Sequence, residues 1–274
     1  YDWTGLSRKF YTSHSFEIFA LLLVAFLVGL AFYLFHGPML TDRVALNVFA
    51  PNHVIEILDL ILAGVLSFLL LSNAYRMFNF IMGEDKKKIP LLLYLTEMKT
   101  FVIHFMTQKR LRDCGRSNSI LWINHLLIMT GYSIIFLMVV VGIRWFQRDE
   151  IYPLWHPIRL LGYYGTFAIL YGVTYAIIGR IKKSRASFEH SHITDWIFLI
   201  LLWLTTFSGI LIHFTRLLEM PLSTYYIYVI HLMIAVPMLV LEVPFAKWAH
   251  QLYRPLVLYL MHVKGAAGRI NTEK

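Results

Sequence analysis

Six long apolar runs, at about 16–36, 54–75, 119–143, 159–179, 193–214 and 224–249, alternate with polar or charged segments along the chain. A helix rises about 1.5 Å per residue, so each run is long enough to cross the roughly 30 Å hydrocarbon layer of a bilayer. The predicted fold is an all-α membrane protein with six transmembrane helices. Between the second and third runs lies the longest polar stretch, from Arg76 to Ser117. Within it, Pro90 opens a segment in which Leu91, Leu92, Leu95, Met98, Val102 and Phe105 share one face, with Glu97, Lys99 and Lys109 elsewhere. That spacing predicts an amphipathic helix lying on a membrane surface. The pattern divides the chain into an N-terminal two-helix unit (1–75), a basic amphipathic segment (76–118), a four-helix core (119–250) and a polar tail (251–274).

Composition agrees with a chain dissolved in lipid: 58% of its 274 residues are hydrophobic and 15% are charged, more apolar than a soluble core of this size requires. The net charge of +9 changes its meaning once the spans are placed. An even number of crossings puts both termini on one side, and that side collects 20 of the 25 lysines and arginines. The positive-inside bias therefore places the termini and the amphipathic helix in the cytoplasm. There the basic residues suit anionic headgroups and a docking platform for a cytoplasmic partner. No nucleic-acid motif accompanies them. Cys114 is the single cysteine, which excludes internal disulfides, an iron–sulfur cluster ligated by this chain alone, and haem attached through Cys-x-x-Cys-His. No signal-peptide pattern opens the sequence.

The histidines carry the candidate chemistry. His231 and His250 sit at the two ends of one apolar stretch, and the nineteen-residue interval from one to the other rises about 28 Å, which predicts an imidazole near each membrane face. Ionisable groups in a span are functional candidates, and neutral imidazole is a good iron ligand. His125, in the first turns of the third span, lies at the depth expected for His250, so the two can clasp one b-type haem near the cytoplasm. His213 ends the fifth span and a short hairpin brings it to the leaflet of His231, which predicts a second, outer haem. Gly209, one turn before His213, would let a macrocycle approach the backbone, and Arg216 could pair with a propionate. His36 and His156 are the competing sixth ligands. His14, His190, His192 and His262 read as wet surface residues, and His104 as a headgroup contact.

These residues carry a resemblance. The stretch from His231 through Pro244, Phe245, Lys247 and His250 to Tyr253-Arg254-Pro255 resembles the last span of the respiratory nitrate reductase gamma-subunit family of dihaem cytochromes b. The N-terminal pair of spans and the stretch from Thr100 to Cys114 more closely resemble one subgroup. It contains the membrane subunit of the quinone-interacting membrane-bound oxidoreductase complex of sulfate reducers, and membrane subunits of heterodisulfide-reductase-like complexes. The similarity covers essentially all of 76–260. It implies an oxidoreductase subunit in a prokaryotic inner membrane that exchanges electrons between menaquinone or a related quinone and cytoplasmic flavin and iron–sulfur subunits, as in sulfate respiration. Position by position, His125 and His250 match the inner-haem ligands and His231 matches one outer ligand. The family's second outer ligand falls where this chain has Tyr132 to Phe136 and no histidine, so His213 is a substitute.

Two further expectations follow. Ligands on the family's last span are whole turns apart, but a nineteen-residue interval leaves His231 and His250 about 100° out of phase. A kink or one-residue bulge between Ile234 and Pro244, helped by Pro237 and Pro244, would restore the register. Glu242 could hydrogen-bond backbone groups freed by those prolines. A quinone needs proton-exchanging groups near the outer haem or at the inner face; on the outer side His53, Glu56 and Asp59 form a polar stripe along the start of the second span, while His156 and Arg159 open the fourth. Glu56 and Arg159 could equally form a structural pair. The rival class is a haem-free protein, either a membrane anchor or a proton-linked transporter whose histidines line a water path.

Overall fold

The computed structural model describes residues 2–46, 52–112 and 119–272; Cys114 lies outside them. The described residues form helices and connecting segments with no strand. The helices are α1 (Leu6–Thr12), α2 (His14–Phe35), α3 (Asn52–Met82), α4 (Leu91–Thr107), α5 (Ser119–Val140), α6 (Ile143–Phe146), α7 (Pro157–Ile181), α8 (Ala186–Glu189), α9 (Ile193–Leu217), α10 (Pro221–Pro237), α11 (Val243–Phe245) and α12 (His250–Thr272). Six segments are long and apolar enough to cross a membrane: His14–Phe35, His53–Lys87, Ser119–Val140, Pro157–Ile181, Ile193–Leu217 and Pro221–Phe245. They coincide with the six apolar runs. The fold is that of a multi-pass membrane protein.

Helices α5, α7, α9 and α10 build the centre, where Tyr132, Ile169, Val173, Leu199, Leu202 and Met238 pack together. Lipid gives helices no hydrophobic reason to associate, so close approach through small residues does the work. A Cβ on Gly172 would fall 2.4 Å from Ile128 Cγ1, and one on Gly165 would fall 2.7 Å from Ile135 Cγ1. At the same contact the Asn124 amide donates to the Gly172 carbonyl over 2.9 Å. Helix α2 is held differently. It leans on α10, with Met233 filling the space beside Gly29, and turns Phe19, Leu22 and Phe26 outward. An apolar surface of that kind is ordinary against acyl chains and untenable in water.

The sixth span contains the expected irregularity. A π-helical turn occupies Met238–Glu242 between Pro237 and Pro244, inserting the one extra residue that the register requires. The span does not, however, continue to His250. Ala246, at φ −122° and ψ −141°, breaks the helix, a 3-10 turn follows at Lys247–Ala249, and His250 opens α12. The expectation of one helix with a histidine at each end is thus corrected: Pro244 lacks a donor for the ladder, and the chain leaves the bundle after Phe245.

The end of the bundle that carries the N-terminal residues, α4 and α12 holds most of the basic residues and is called the basic end below. Residues 251–274, read from sequence as a tail, are largely helix α12, which packs along α4. Met82, Tyr259, Leu260 and Val263 form a second small core there. The Tyr259 hydroxyl donates to the Tyr94 carbonyl over 2.9 Å, and Lys264 pairs with Asp85 at 3.1 Å. Helix α4 turns Phe101 toward this core and leaves Leu91, Leu92, Leu95 and Val102 exposed. It is therefore apolar on two sides, one against protein and one outward.

Candidate functional site

At the basic end, α5 and the start of α12 bring the imidazoles of His125 and His250 together, with ring centres 6.0 Å apart and planes inclined by 71°. Imidazole–metal bonds are about 2 Å long, so two rings at this separation could both reach one metal ion. The nitrogens fit as well. His250 Nδ1 faces the Lys247 carbonyl, an arrangement that fixes the tautomer and leaves Nε2 as the free lone pair. His125 Nδ1 is buried and has no hydrogen-bond partner. Burial holds the His250 pKa below its ordinary value, with the Arg254 and Lys247 charges acting in the same direction, so the ring is neutral and able to bind metal. The ring separation and the nitrogen chemistry suit a metal ion held by both imidazoles, as in a bis-histidine haem, and Arg254 lies in Coulombic reach of both rings.

The opposite end is arranged differently. His213 Nε2 is 2.9 Å from the Tyr163 hydroxyl, and His231 Nδ1 is 2.9 Å from the Ser208 hydroxyl. His231 packs over Gly209, with its Cε1 3.4 Å from where a Cβ would stand. The space that Gly209 opens is therefore filled by the imidazole itself. Arg216, expected at a propionate, instead donates to the carbonyls of Arg148 and Asp149. Tyr163 engages the His213 nitrogen that a metal would need. His231 keeps Nε2 for another partner. Of the competing ligands, His36 is exposed with Nδ1 2.7 Å from the Gly37 carbonyl, and His156 stacks on Tyr152 with ring centres 3.8 Å apart.

The residues expected to serve a quinone on that side do not converge either. Glu56 pairs with Arg144 at 2.6 Å, which corrects the pairing with Arg159 read from sequence. Arg159 donates to the Tyr163 hydroxyl and the Tyr152 carbonyl at 2.9 and 2.7 Å. Asp59 is half-buried on α3.

A cavity of about 580 Å³ lies instead at the basic end, bounded by α1, α3 and α12. Met77, Phe245, Ala249, Val257 and Leu258 give it apolar walls, and Tyr11, His250, Tyr253 and Arg254 bring polar groups to it. Beside it sits a cluster that sequence reasoning passed over. Glu17 and Glu242 are each 1% exposed. Glu242 accepts from the Lys247 backbone N–H over 3.2 Å, Lys247 Nζ pairs with Asp195 at 2.6 Å, and the same ammonium lies 5.3 Å over the Tyr11 ring. Burial pushes the Tyr11 phenol up to about 12, and the carboxylates of Glu242, Asp195 and Glu17 add to the effect. Tyr11 is therefore a protonated donor at neutral pH. Glu242 does hydrogen-bond a backbone group beside Pro244, as read from sequence; Glu17, an acid within the apolar run SFEIFALLL, carried a signal that was passed over. The N-terminal residues gave none.

Fold and site define a class: an α-helical multi-pass membrane protein in which the imidazoles of His125 and His250, from two helices, face each other at one end of the bundle. No protein-family model, no curated protein and no solved structure matches the chain.

Proposed function

We propose that the chain is a membrane cytochrome b subunit that exchanges electrons between a membrane quinone, menaquinone or a relative, and a cytoplasmic flavin and iron–sulfur partner, as in sulfate respiration. The observation that carries the reading is the His125–His250 pair, 6.0 Å between ring centres. In this reading the basic end faces the cytoplasm of a prokaryote, as the distribution of lysine and arginine argues. A haem held there supplies one-electron chemistry. The chain's own residues supply the rest: His125 and His250 as ligands, the Lys247 carbonyl to orient His250, and Arg254 to neutralise propionates. The resemblance read from sequence adds a second haem in the opposite leaflet, and His231 is the side chain there best prepared to ligate.

An absorption spectrum of the purified chain tests the reading. Dithionite should raise a b-type α band, and the pyridine haemochrome should report at least one haem per chain. A preparation from native membranes that lacks haem would overturn the proposal in favour of a haem-free anchor or a proton-linked transporter. The exposed apolar face of α4, next to basic residues, supports attachment to the lipid surface and to a partner at that end.

A further inference from the structure

The basic-end cavity and the buried acids beside it form one unit. A quinone head group is flat, mostly apolar and carries two carbonyl oxygens, so it needs apolar walls and a few donors. The cavity offers Phe245, Met77 and Leu258 as walls and Tyr11, Tyr253 and Arg254 as donors. It lies where the sixth span ends, at Phe245, the depth at which an isoprenoid tail can remain in lipid. His250 is on its wall and His125 is not among the residues that line it. The cavity is therefore a volume beside the histidine pair and not the gap between the rings.

Interconverting quinone and hydroquinone moves two electrons and makes or breaks two O–H bonds, so a site must pass protons as well as electrons. Glu17 is 1% exposed and neither of its carboxylate oxygens has a hydrogen-bond partner. Glu242, on the π-helical turn, is equally buried and within Coulombic range of it. The elements around them bring further charged or titratable groups: Tyr11 from α1, Asp195 at the start of α9 and Lys247 after α11, with His14 one turn before Glu17 on α2. Asp195 accepts from the His192 N–H over 3.0 Å, and the exposed His192 ring lies 4.8 Å from that of His14. A polar route therefore runs from the surface at His192 to the cavity wall at Tyr11.

We infer that the cavity bounded by α1, α3 and α12 binds the quinone head group, and that Glu17 and Glu242 exchange its protons with the basic-end surface by way of Tyr11. This rests on the cytochrome reading, in which a haem held by His125 and His250 would supply one-electron exchange. Each proton of a bound hydroquinone passes to Tyr11 as Tyr11 hands its own to Glu17 or Glu242, and leaves that carboxylate for the basic-end surface before the second follows; reduction of quinone runs the same relay in reverse. The geometry assigns the reaction to the basic end and not to the Glu56 and His156 side.

A photoreactive azido-naphthoquinone, used on the full chain in its native membrane, tests the binding step. Adducts that menadione competes away should map to peptides containing Tyr11 or Tyr253. Adducts confined to 53–59 or 152–163, or adducts that menadione does not displace, would overturn the assignment. Glu17→Gln and Glu242→Gln test the proton step. Both should keep the label and the dithionite-reduced spectrum yet slow haem reduction by reduced menadione at least about tenfold, with Glu242→Asp recovering part of the rate. Unchanged rates would refute the proton route. If the unaltered chain binds no haem, the cytochrome reading fails, and the labelling pattern alone decides whether the cavity takes a quinone.

Discussion

The two ends of the bundle each hold a pair of histidines, and only one pair behaves as a pair. At the basic end His125 and His250 face each other at 6.0 Å. At the other, His213 and His231 are each engaged by a neighbouring hydroxyl, from Tyr163 and Ser208. Tyr163 takes up the Nε2 of His213, while Ser208 takes only the Nδ1 of His231 and leaves its Nε2 open. At the basic end the Nδ1 of His250 is fixed on a carbonyl and a second ring lies opposite, the arrangement that a shared metal ion needs. Depth in the membrane is thus a poor guide to ligation; whether a second imidazole faces the first separates the cases.

The largest effect expected from this contrast is on haem content. His250→Leu should remove the basic-end haem entirely, read as loss of its α band, because no other described imidazole lies opposite His125. His213→Phe should leave haem content unchanged. A loss after His213→Phe equal to that after His250→Leu would break the comparison, since Tyr163 would then be a placeholder for a ligand position.

The contrast also shows what the sequence makes legible. Six spans could be read directly, since a bilayer imposes length and apolarity on every crossing helix. The irregularity near Pro237 could be read because a nineteen-residue interval does not fit whole turns, and the π-helical turn at Met238–Glu242 resolves it. The break at Ala246 could not, because it depends on a backbone conformation that alanine does not advertise. Pairing across the bundle was half legible. Depth put His125 level with His250, but the same reasoning put His213 level with His231 and missed Tyr163, which arrives from a helix fifty residues away in sequence. The cavity was hidden for a similar reason, since residues 2–11 reach it only through the docking of α1 against Phe245, where Phe10 stacks at 6.3 Å.

The next effect concerns how α5 is held, since the position of His125 depends on it. Gly172→Val would drive a side chain into Ile128 and the Asn124 backbone, an overpacking that costs about 1–3 kcal/mol. It should lower the unfolding temperature in detergent and weaken haem retention at the basic end together. A variant that loses stability but keeps its haem would show that α12 alone positions the site. At the other end, Ser208→Ala removes the hydroxyl from His231 Nδ1 and should cost about 1 kcal/mol. Haem bound at His250 should be indifferent to it.

The smallest effect is expected at the ion pair between Arg144 and Glu56. It is short, 2.6 Å, yet the Arg144 side chain is 70% exposed, and pairs held in water contribute about 0.2–1 kcal/mol. Glu56→Gln keeps the shape and loses the charge. If the opposite end is structural, the variant should lower thermal stability slightly, more at low ionic strength than at high, and leave hydroquinone-driven reduction as fast as in the unaltered chain. Glu17→Gln and Glu242→Gln at the basic end should show the reverse, a slowed reaction with folding retained. A Glu56→Gln chain that folds normally but reduces slowly would move the proton chemistry to the opposite leaflet, and with it the direction in which charge crosses the membrane.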